Sequence, residues 1–257
     1  MSTQDLDLIK LEPWLRSKVP HFSGTLSAEK FTGGQSNPTF KISTGKEDYV
    51  LRRKPPGELL ASAHAVDREF RVLAALSNTD VPVPSVVALC EDEDVIGSMF
   101  YVMEYLEGRI FWDPAVPELD NPERAAIYDE MNRVLAKLHC VDIDTIGLSD
   151  YGRPGNYYAR QISRWTKQYR ASETEPVSDM EALIGWLPEN IPVNKGQVAL
   201  VHGDYRLDNM IFHPTEARII GILDWELSTL GDPLADLAYQ LMAWQFPREG
   251  GILGLAG

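Results

Sequence analysis

Residues 201–209 read VHGDYRLDN, and a second motif, ILDWE, follows at residues 222–226. The first motif overlaps the end of the apolar run QVALV at 197–201, which is typical of a buried strand. The two motifs place four side chains that carry acceptor oxygens beside short apolar runs: Asp204, Asp208, Asn209 and Asp224. Carboxylate and carboxamide oxygens are ligands that Mg²⁺ prefers, with water or phosphate completing its shell. The pattern therefore predicts a site for a hard cation such as magnesium.

Two further apolar runs, at 210–212 and 219–223, predict a pair of short strands. The sequence HPT at 213–215 lies between them and is a turn signal. A tight hairpin is therefore expected to return Asp224 to the end at which Asn209 lies.

The spacing of these residues is more informative than their composition. The triplet His-x-Asp at 202–204, followed by four residues and Asn209 and later by an apolar pair and Asp224, resembles the catalytic and metal loops of protein kinases. Gly203 replaces the Arg of that loop, and Asp-Trp-Glu replaces Asp-Phe-Gly. HGDYRLDN with ILDWE is similar to the aminoglycoside phosphotransferase and choline kinase group of small-molecule kinases. The longer run GILDWELSTLGDPLADLAYQL, at 221–241, most resembles the kinase-like domains found beside, or fused to, acyl-CoA dehydrogenases.

The resemblance implies an α+β fold of the two-lobed, protein-kinase-like type, with an N-terminal antiparallel sheet plus helix and a mainly helical C-terminal lobe. Residues 1–103 would form the nucleotide-binding lobe and residues 104–257 the catalytic and substrate lobe, with a hinge at about 103–108. Asp236 is expected to hold the catalytic loop by hydrogen bonds. The spacing of apolar residues predicts helices at several places: 62–76, 121–139, 156–170, 178–187 and from 233 onward.

Residues 31–42 read FTGGQSNPTFKI, which indicates a strand, a Gly-Gly turn and a second strand. Paired glycines let a backbone approach a ligand closely, and loop amides can face a phosphate. Gly-Gly turns are also common in plain hairpins, so the motif alone fits either interpretation. The resemblance makes Gly33 and Gly34 the turn of a phosphate-covering loop, with Ser36 and Asn37 as side-chain donors.

Alternation in the strand at 49–54 places Val50 and Arg52 on one face. In the family a basic residue of this strand binds nucleotide phosphates, and Arg52 occupies the position where Lys is commonest among kinases. Arg can bind phosphate bidentately. The helix that follows, for which Ser62 is the expected N-cap, carries Glu69 near its centre, and the resemblance implies an ion pair between Glu69 and Arg52. An exposed basic strand end and a solvated helix face would fit the same residue types.

The strand at 99–103 follows an acidic turn predicted at 91–94 and ends in the polar segment EYLEG at 104–108. This segment resembles the hinge between kinase lobes, whose backbone groups meet the adenine edge. Glu104 and Tyr105 are the expected contacts there. The segment also fits a plain domain linker.

The implied activity is transfer of the γ-phosphate of ATP to a hydroxyl group of a small molecule, with Mg²⁺ as cofactor. Asp204 would accept or orient the hydroxyl proton, while Asn209 and Asp224 would hold the metal. Aminoglycosides, choline-like amines, sugars and hydroxyacyl-CoA-type compounds remain open as acceptors, and the resemblance implies association with an acyl-CoA dehydrogenase.

Two other classes fit part of the pattern: a catalytically silent kinase fold that binds nucleotide or a protein, and a metal-dependent hydrolase using His202 and the acids. The hydrolase would need more histidine ligands.

The 257 residues carry a formal charge of −14, which argues against nucleic acid and anionic membranes as partners because both reward Lys and Arg. The two cysteines, Cys90 and Cys140, provide no disulfide framework and no metal-ligand spacing, so a reduced, cytoplasmic setting is expected. The N-terminal residues predict no signal peptide. Related kinases usually continue beyond the position of Gly257, so we expect a shortened version or part of a longer product.

Overall fold

The computed structural model describes residues 6–19, 22–31, 37–55, 65–153, 155–193, 196–249 and 252–256. The first part of the chain forms, in order, α1 Leu8–Lys18, β1 Ser27–Lys30, β2 Thr39–Ser43, β3 Asp48–Arg53, α2 Val66–Leu76, β4 Val86–Cys90, α3 Glu93–Ile96 and β5 Phe100–Glu104. The remainder forms α4 Asn121–His139, α5 Tyr157–Ser172, α6 Ser178–Glu189, β6 Ala199–Val201, β7 Met210–Phe212, β8 Ile219–Ile222, β9 Thr229–Gly231 and α7 Leu234–Met242. Short 3-10 helices span Leu207–Asn209 and Trp225–Leu227.

The first five strands form one antiparallel sheet in the order β1-β2-β3-β5-β4. Its register places Arg52 of β3 opposite Thr39 on one side and Tyr101 on the other. The predicted N-terminal antiparallel sheet with a helix is therefore confirmed, as is the α+β class.

Strand alternation divides the core into two apolar clusters, because successive side chains of a strand point to opposite faces. Phe100 and Val102 of β5 join α1 in the first cluster, whereas Tyr101 and Met103 face the second. The second cluster continues into the helical part through these residues: Ile127, Met131, Leu135, Met210, Phe212 and Ile222. Each fully buried Leu, Ile or Phe contributes roughly 1.5–3 kcal/mol. The sheet is therefore packed continuously onto the elements that carry the catalytic motifs.

The structure differs from the sequence-based expectation in two of the described elements, α3 and β9. The acidic segment predicted as a turn includes the four-residue helix α3, because the Asp92 side chain accepts a hydrogen bond from the Asp94 backbone and caps it. The strand β9 was not predicted, and it pairs with β6. The predicted N-cap Ser62 lies outside the described residues, and α2 begins at Val66.

Within the ranges given above, none of the helices combines the length and the apolar character that a membrane crossing requires.

Candidate active site

The loop at 202–209, which we name the catalytic loop after the motif it resembles, begins where β6 ends at Val201. A single carboxylate fixes its first two residues. Asp236 of α7 is fully buried, and its oxygens accept hydrogen bonds from the backbone N–H groups of His202 and Gly203, each at 2.8 Å. The His139 ring lies 3.0 Å from the same carboxylate. The expectation that Asp236 holds this loop is confirmed.

His202 joins the catalytic loop to the loop after β8. Its Nδ1 accepts a hydrogen bond from the Asp204 backbone at 3.2 Å, and its Nε2 lies 2.9 Å from the Leu223 carbonyl oxygen. Since Nδ1 accepts, the proton lies on Nε2, which donates to the carbonyl. The ring is fully buried and uses both nitrogens internally. His202 is therefore a structural residue of the loop, which argues against the hydrolase alternative.

Gly203 is required by the close approach of the two loops. Its φ is +85°, and a Cβ at this position would lie 2.8 Å from the Leu227 carbonyl oxygen. Asp224 also adopts a left-handed conformation, with φ of +63°. Non-glycine residues with positive φ are uncommon and occur often at functional sites. One of the three described non-glycine residues with positive φ thus lies in the second acidic motif.

The hairpin formed by β7 and β8 brings the predicted metal ligands to one end. Met210 pairs with Ile222, and the Leu223 backbone donates to the Asn209 carbonyl oxygen at 2.8 Å. The Asn209 side-chain amide donates to the Asp204 carboxylate at 2.8 Å and to its carbonyl oxygen at 3.0 Å. The predicted juxtaposition of Asn209 and Asp224 is confirmed, and Asp204 lies beside them.

Arg52 faces this hairpin from the sheet. Its Nε lies 2.8 Å from Glu69 Oε2, its Nη2 lies 2.5 Å from Asp224 Oδ1, and Glu226 is 3.8 Å away. The ion pair implied between Arg52 and Glu69 is therefore present. The same guanidinium also reaches the acid of the second motif, which the sequence did not indicate.

Asn37 and Tyr101 complete the surroundings of Glu69. The Asn37 side-chain amide donates to Glu69 Oε1 at 2.8 Å, and the Tyr101 hydroxyl donates to Oε2 at 3.1 Å. Asn37 also lies 3.4 Å from Glu226. Asn37 thus supports the glutamate from the end of the predicted phosphate loop, whereas Gly33, Gly34 and Ser36 lie outside the described residues.

Burial controls the protonation of this cluster. Desolvation raises the pKa of Glu69 to about 7, against the opposing attraction of Arg52. Burial alone would lower the pKa of Arg52, but Glu69, Asp224 and Glu226 outweigh it and raise that pKa. The arginine therefore keeps its charge, and Glu69 is the member that titrates near neutral pH.

A cavity of about 570 Å³ lies between the sheet and the catalytic motifs. Its wall includes most of the predicted site residues that the structure describes: Arg52, Glu104, Tyr105, Asp204, Asn209 and Asp224. Apolar side chains, among them Val50, Met103 and Ile222, form another part of the wall. Val50 and Arg52 therefore share a face, as predicted, whereas Glu69 supports Arg52 from behind. Such a mixed cleft is typical of small-molecule sites.

The residues fit a metal that a phosphate substrate would help to hold. In the described part of the chain, no three His, Cys, Asp or Glu side chains converge as a ready metal site. Asp224 already forms an ion pair with a cation, Arg52. The side-chain amide of Asn209 is oriented because its N–H donates a hydrogen bond to Asp204. Mg²⁺ often takes only one or two protein ligands when phosphates and water supply the rest. Asn209 and Asp224 suit that arrangement.

The wall of the cavity also contains residues to which sequence reasoning gave no role. Arg206 forms an ion pair with Asp208, and Trp112 is largely exposed at the rim. The sequence shows that Arg206 belongs to the catalytic loop, two residues after Asp204, but it does not show the contacts of its side chain.

The five-stranded sheet, the Arg52–Glu69 ion pair and the cleft above Asp204 and Asp224 define a kinase-like α+β protein. The sequence profile described as the phosphotransferase enzyme family matches residues 27–254. The chain belongs to that family of phosphotransferases.

Solved structures agree with the fold. The crystal structure of a candidate aminoglycoside phosphotransferase from Ralstonia eutropha superposes with a TM-score of 0.86 at 53% identity, covering 98% of this chain and 74% of that chain. The ternary complex of APH(2")-IIa with streptomycin and ATP superposes with a TM-score of 0.63 at 23% identity, covering 90% of this chain and 74% of the other. The family and these neighbours support a small-molecule kinase.

Longer curated proteins contain a similar segment. Acyl-CoA dehydrogenase family member 10 of Mus musculus is 50% identical over 244 residues, which are 95% of this chain and 23% of that protein. Acyl-CoA dehydrogenase family member 11 of Homo sapiens is 46% identical over 246 residues, or 94% of this chain and 32% of the relative. The chain therefore spans only about a quarter to a third of the length of these relatives.

Proposed function

We propose that the chain is an ATP-dependent kinase that transfers the γ-phosphate to a hydroxyl group of a small molecule. The observation that supports this most is that Arg52, Asp204, Asn209 and Asp224 line one cleft, in which Arg52 contacts Asp224. Cations that neutralise phosphates and a carboxylate that receives a proton are the parts phosphoryl transfer requires.

In the proposed reaction the acceptor hydroxyl gives its proton to the Asp204 carboxylate, and its oxygen forms a bond to the γ-phosphorus. The bond between that phosphorus and the β,γ-bridging oxygen breaks, and ADP leaves with the electron pair. Asn209 orients Asp204 through the 2.8 Å hydrogen bond between their side chains. Mg²⁺, held by Asn209 and Asp224, would neutralise phosphate charge when bound.

The N-terminal residues would bind the nucleotide. Arg52, positioned by Glu69 and Asn37, would contact the phosphates, and the loop containing Gly33, Gly34 and Ser36 would cover them. Glu104 and Tyr105 would meet the adenine at the end of β5. This assignment makes residues 1–103 a nucleotide-binding lobe and residues 104–257 a catalytic and substrate lobe, with the hinge at about 103–108.

The acceptor is proposed to be a hydroxylated acyl compound, and the partner an acyl-CoA dehydrogenase, because the relatives at 46–50% identity carry that name. The two cysteines of the described chain are free, which suits a reduced, cytoplasmic setting.

Thermal melting with ADP, with and without Mg²⁺, tests the nucleotide site. Ligands that bind only the folded state stabilise it, so Mg-ADP at about 100 times its Kd should raise the melting temperature by roughly 5 °C or more. Asp224→Ala should abolish the magnesium-dependent part of this rise. Asp129→Ala, which removes an exposed acid of α4, is the matched control and should respond like the wild type.

Turnover is tested separately by measuring ADP production in an acceptor screen. Asp204→Asn should keep the Mg-ADP shift and lose turnover with any acceptor that the wild type uses. Equal turnover in this variant would remove Asp204 as the base. A wild type that binds Mg-ADP and phosphorylates no acceptor would instead indicate a silent kinase fold.

A further inference from the structure

Among the described residues of the cavity wall, two side chains carry a permanent positive charge, Arg52 and Arg206. Arg52 belongs to the sheet and is shared by three carboxylates. Arg206 lies in the catalytic loop, in the same cavity wall, and has no part in the function proposed above.

Arg206 is held beside the proposed base by two neighbours. Its Nε lies 2.5 Å from Asp208 Oδ1, and its Nη2 contacts Asp208 Oδ2. The Tyr239 hydroxyl of α7 lies near both the Arg206 guanidinium and the Asp204 carboxylate and interacts with each of them. One hydroxyl group therefore connects the cation to the carboxylate that would receive the proton.

The side chain of Arg206 nevertheless remains accessible. It is 50% exposed, whereas its partner Asp208 is 15% exposed. An ion pair at this exposure contributes little to stability, so the fold does not depend on it. A fully charged guanidinium with a free face into the cavity is therefore available to an anionic ligand.

The chemistry of transfer locates that ligand. An acceptor oxygen within hydrogen-bonding reach of Asp204 places the phosphorus it attacks next to the same carboxylate. The wall there also carries Asp208 and Asp224, and these negative charges oppose an incoming phosphate. A planar guanidinium binds phosphate oxygens bidentately and keeps its charge, so it can offset this repulsion on the acceptor side of the cleft.

We propose that Arg206 contacts the terminal phosphate of the nucleotide, and that Asp208 and Tyr239 hold its guanidinium beside Asp204 for this purpose. The inference rests on the proposed function. It adds a second phosphate-binding cation, Arg206 of the catalytic loop, to Arg52 of the sheet, so that two arginines would neutralise the charge of the nucleotide phosphates.

Calorimetric binding of two magnesium-loaded probes, ADP and a non-hydrolysable ATP analogue, tests the proposal. Arg206→Ala should weaken the ATP analogue about tenfold, the effect of losing a charge-assisted hydrogen bond, and should change ADP less than about threefold. Arg206→Lys keeps the charge and loses the planar guanidinium, so its affinity for the ATP analogue should lie between those of the wild type and Arg206→Ala.

Arg218→Ala is the matched control. Arg218 is 51% exposed and pairs with Glu216, also two residues away, but it does not line the cavity. It should bind both probes like the wild type. If Arg206→Ala binds the two probes with the wild-type ratio of affinities, the proposal is overturned while the nucleotide site stands. If the wild type binds neither probe, the proposed function fails, and the role of Arg206 with it.

Discussion

The Glu69 carboxylate is 1% exposed and shares the Arg52 guanidinium with two other acids. Burial of a carboxylate disfavours its charged form, and one shared cation compensates only in part. The acids around Arg52 therefore lower the stability of the folded protein by an amount that depends on pH. This cluster is the proposed phosphate-binding site.

Replacing Glu69 by Gln should remove that pH dependence. The pKa of Glu69 is about 7 in the folded protein and 4.5 in its ordinary state. The native state therefore keeps a proton that the unfolded state releases, and the stability contributed by Glu69 is lost as pH rises from about 4.5 to about 7. The slope approaches about 1.4 kcal/mol per pH unit near pH 6. Urea unfolding at pH 5, 6, 7 and 8 should show a shallower decline in Glu69→Gln than in the wild type.

Glu130→Gln is the control for this measurement. Glu130 is also buried, but Arg133 and the Ile219 backbone N–H outweigh burial and lower its pKa. Its contribution is present above its ordinary pKa and disappears only in more acidic solution. Glu130→Gln should therefore be less stable throughout pH 5–8 with the wild-type slope. Parallel curves for the wild type and Glu69→Gln would show that another group titrates in this window.

At the scale of elements, the contact between α7 and the catalytic loop positions the proposed base. Asp236 uses both of its oxygens to accept backbone N–H groups that no strand or helix satisfies. An amide in its place would direct an N–H group at one of these donors. The loop that carries Asp204 therefore depends on a charge at the start of another helix.

Asp236→Asn should destabilise the protein by about 3 kcal/mol, because a buried donor is left unpaired and a charge-assisted hydrogen bond is lost. Urea unfolding measures this change, and hydrogen exchange should show faster exchange of the His202 and Gly203 amides. Asp232→Asn is the matched control: Asp232 is buried near the same helix and accepts from the Leu234 backbone at 3.0 Å, where Asn caps equally well. A loss of similar size in both variants would contradict the special role of Asp236.

The elements that sequence reasoning predicted are those whose signals are local. The β7–β8 hairpin needs only a turn between two apolar runs, and the Arg52–Glu69 pair follows from the order of strand and helix in a resembled fold. The prediction of a turn at 91–94 is wrong, since this segment begins a helix at Glu93. The sequence is ambiguous there because Asp favours both turns and helix N-termini.

Other features were missed because they depend on distant partners. The three residues of β9 form a strand by pairing with β6, from which they are separated by the entire β7–β8 hairpin. The interaction of Tyr239 with Asp204 and Arg206 links α7 to the catalytic loop, and no local sequence pattern encodes the packing of these two elements. The sequence likewise predicts that Asp224 binds magnesium, but it does not predict the ion pair between Asp224 and Arg52. That ion pair depends on how the sheet and the β7–β8 hairpin are placed relative to each other.

At the scale of the whole molecule, negative charge exceeds positive charge. The chain carries 38 acidic and 24 basic residues, and a net charge of −14 makes the compact state repel itself. The cleft is part of this field, since its wall contains Glu104, Asp204, Asp208 and Asp224. Under the proposed function an anionic nucleotide would approach an anionic protein, and neutralisation by arginine and magnesium would have to overcome that repulsion.

The same imbalance predicts how stability responds to salt. Screening is effective beyond about 10 Å at 0.1 M ionic strength, so it weakens the long-range repulsion more than the short ion pairs. The melting temperature should rise by a few degrees, roughly 2–4 °C for about 1 kcal/mol, between about 10 and 150 mM NaCl. Potassium chloride should give the same rise if screening, and not sodium binding, is the cause. Replacing three exposed acids by Gln, at Glu118, Glu175 and Glu189, should reduce the response because it removes part of the excess charge. A melting temperature that falls with salt would mean that surface ion pairs such as Arg71–Asp150 outweigh the net repulsion.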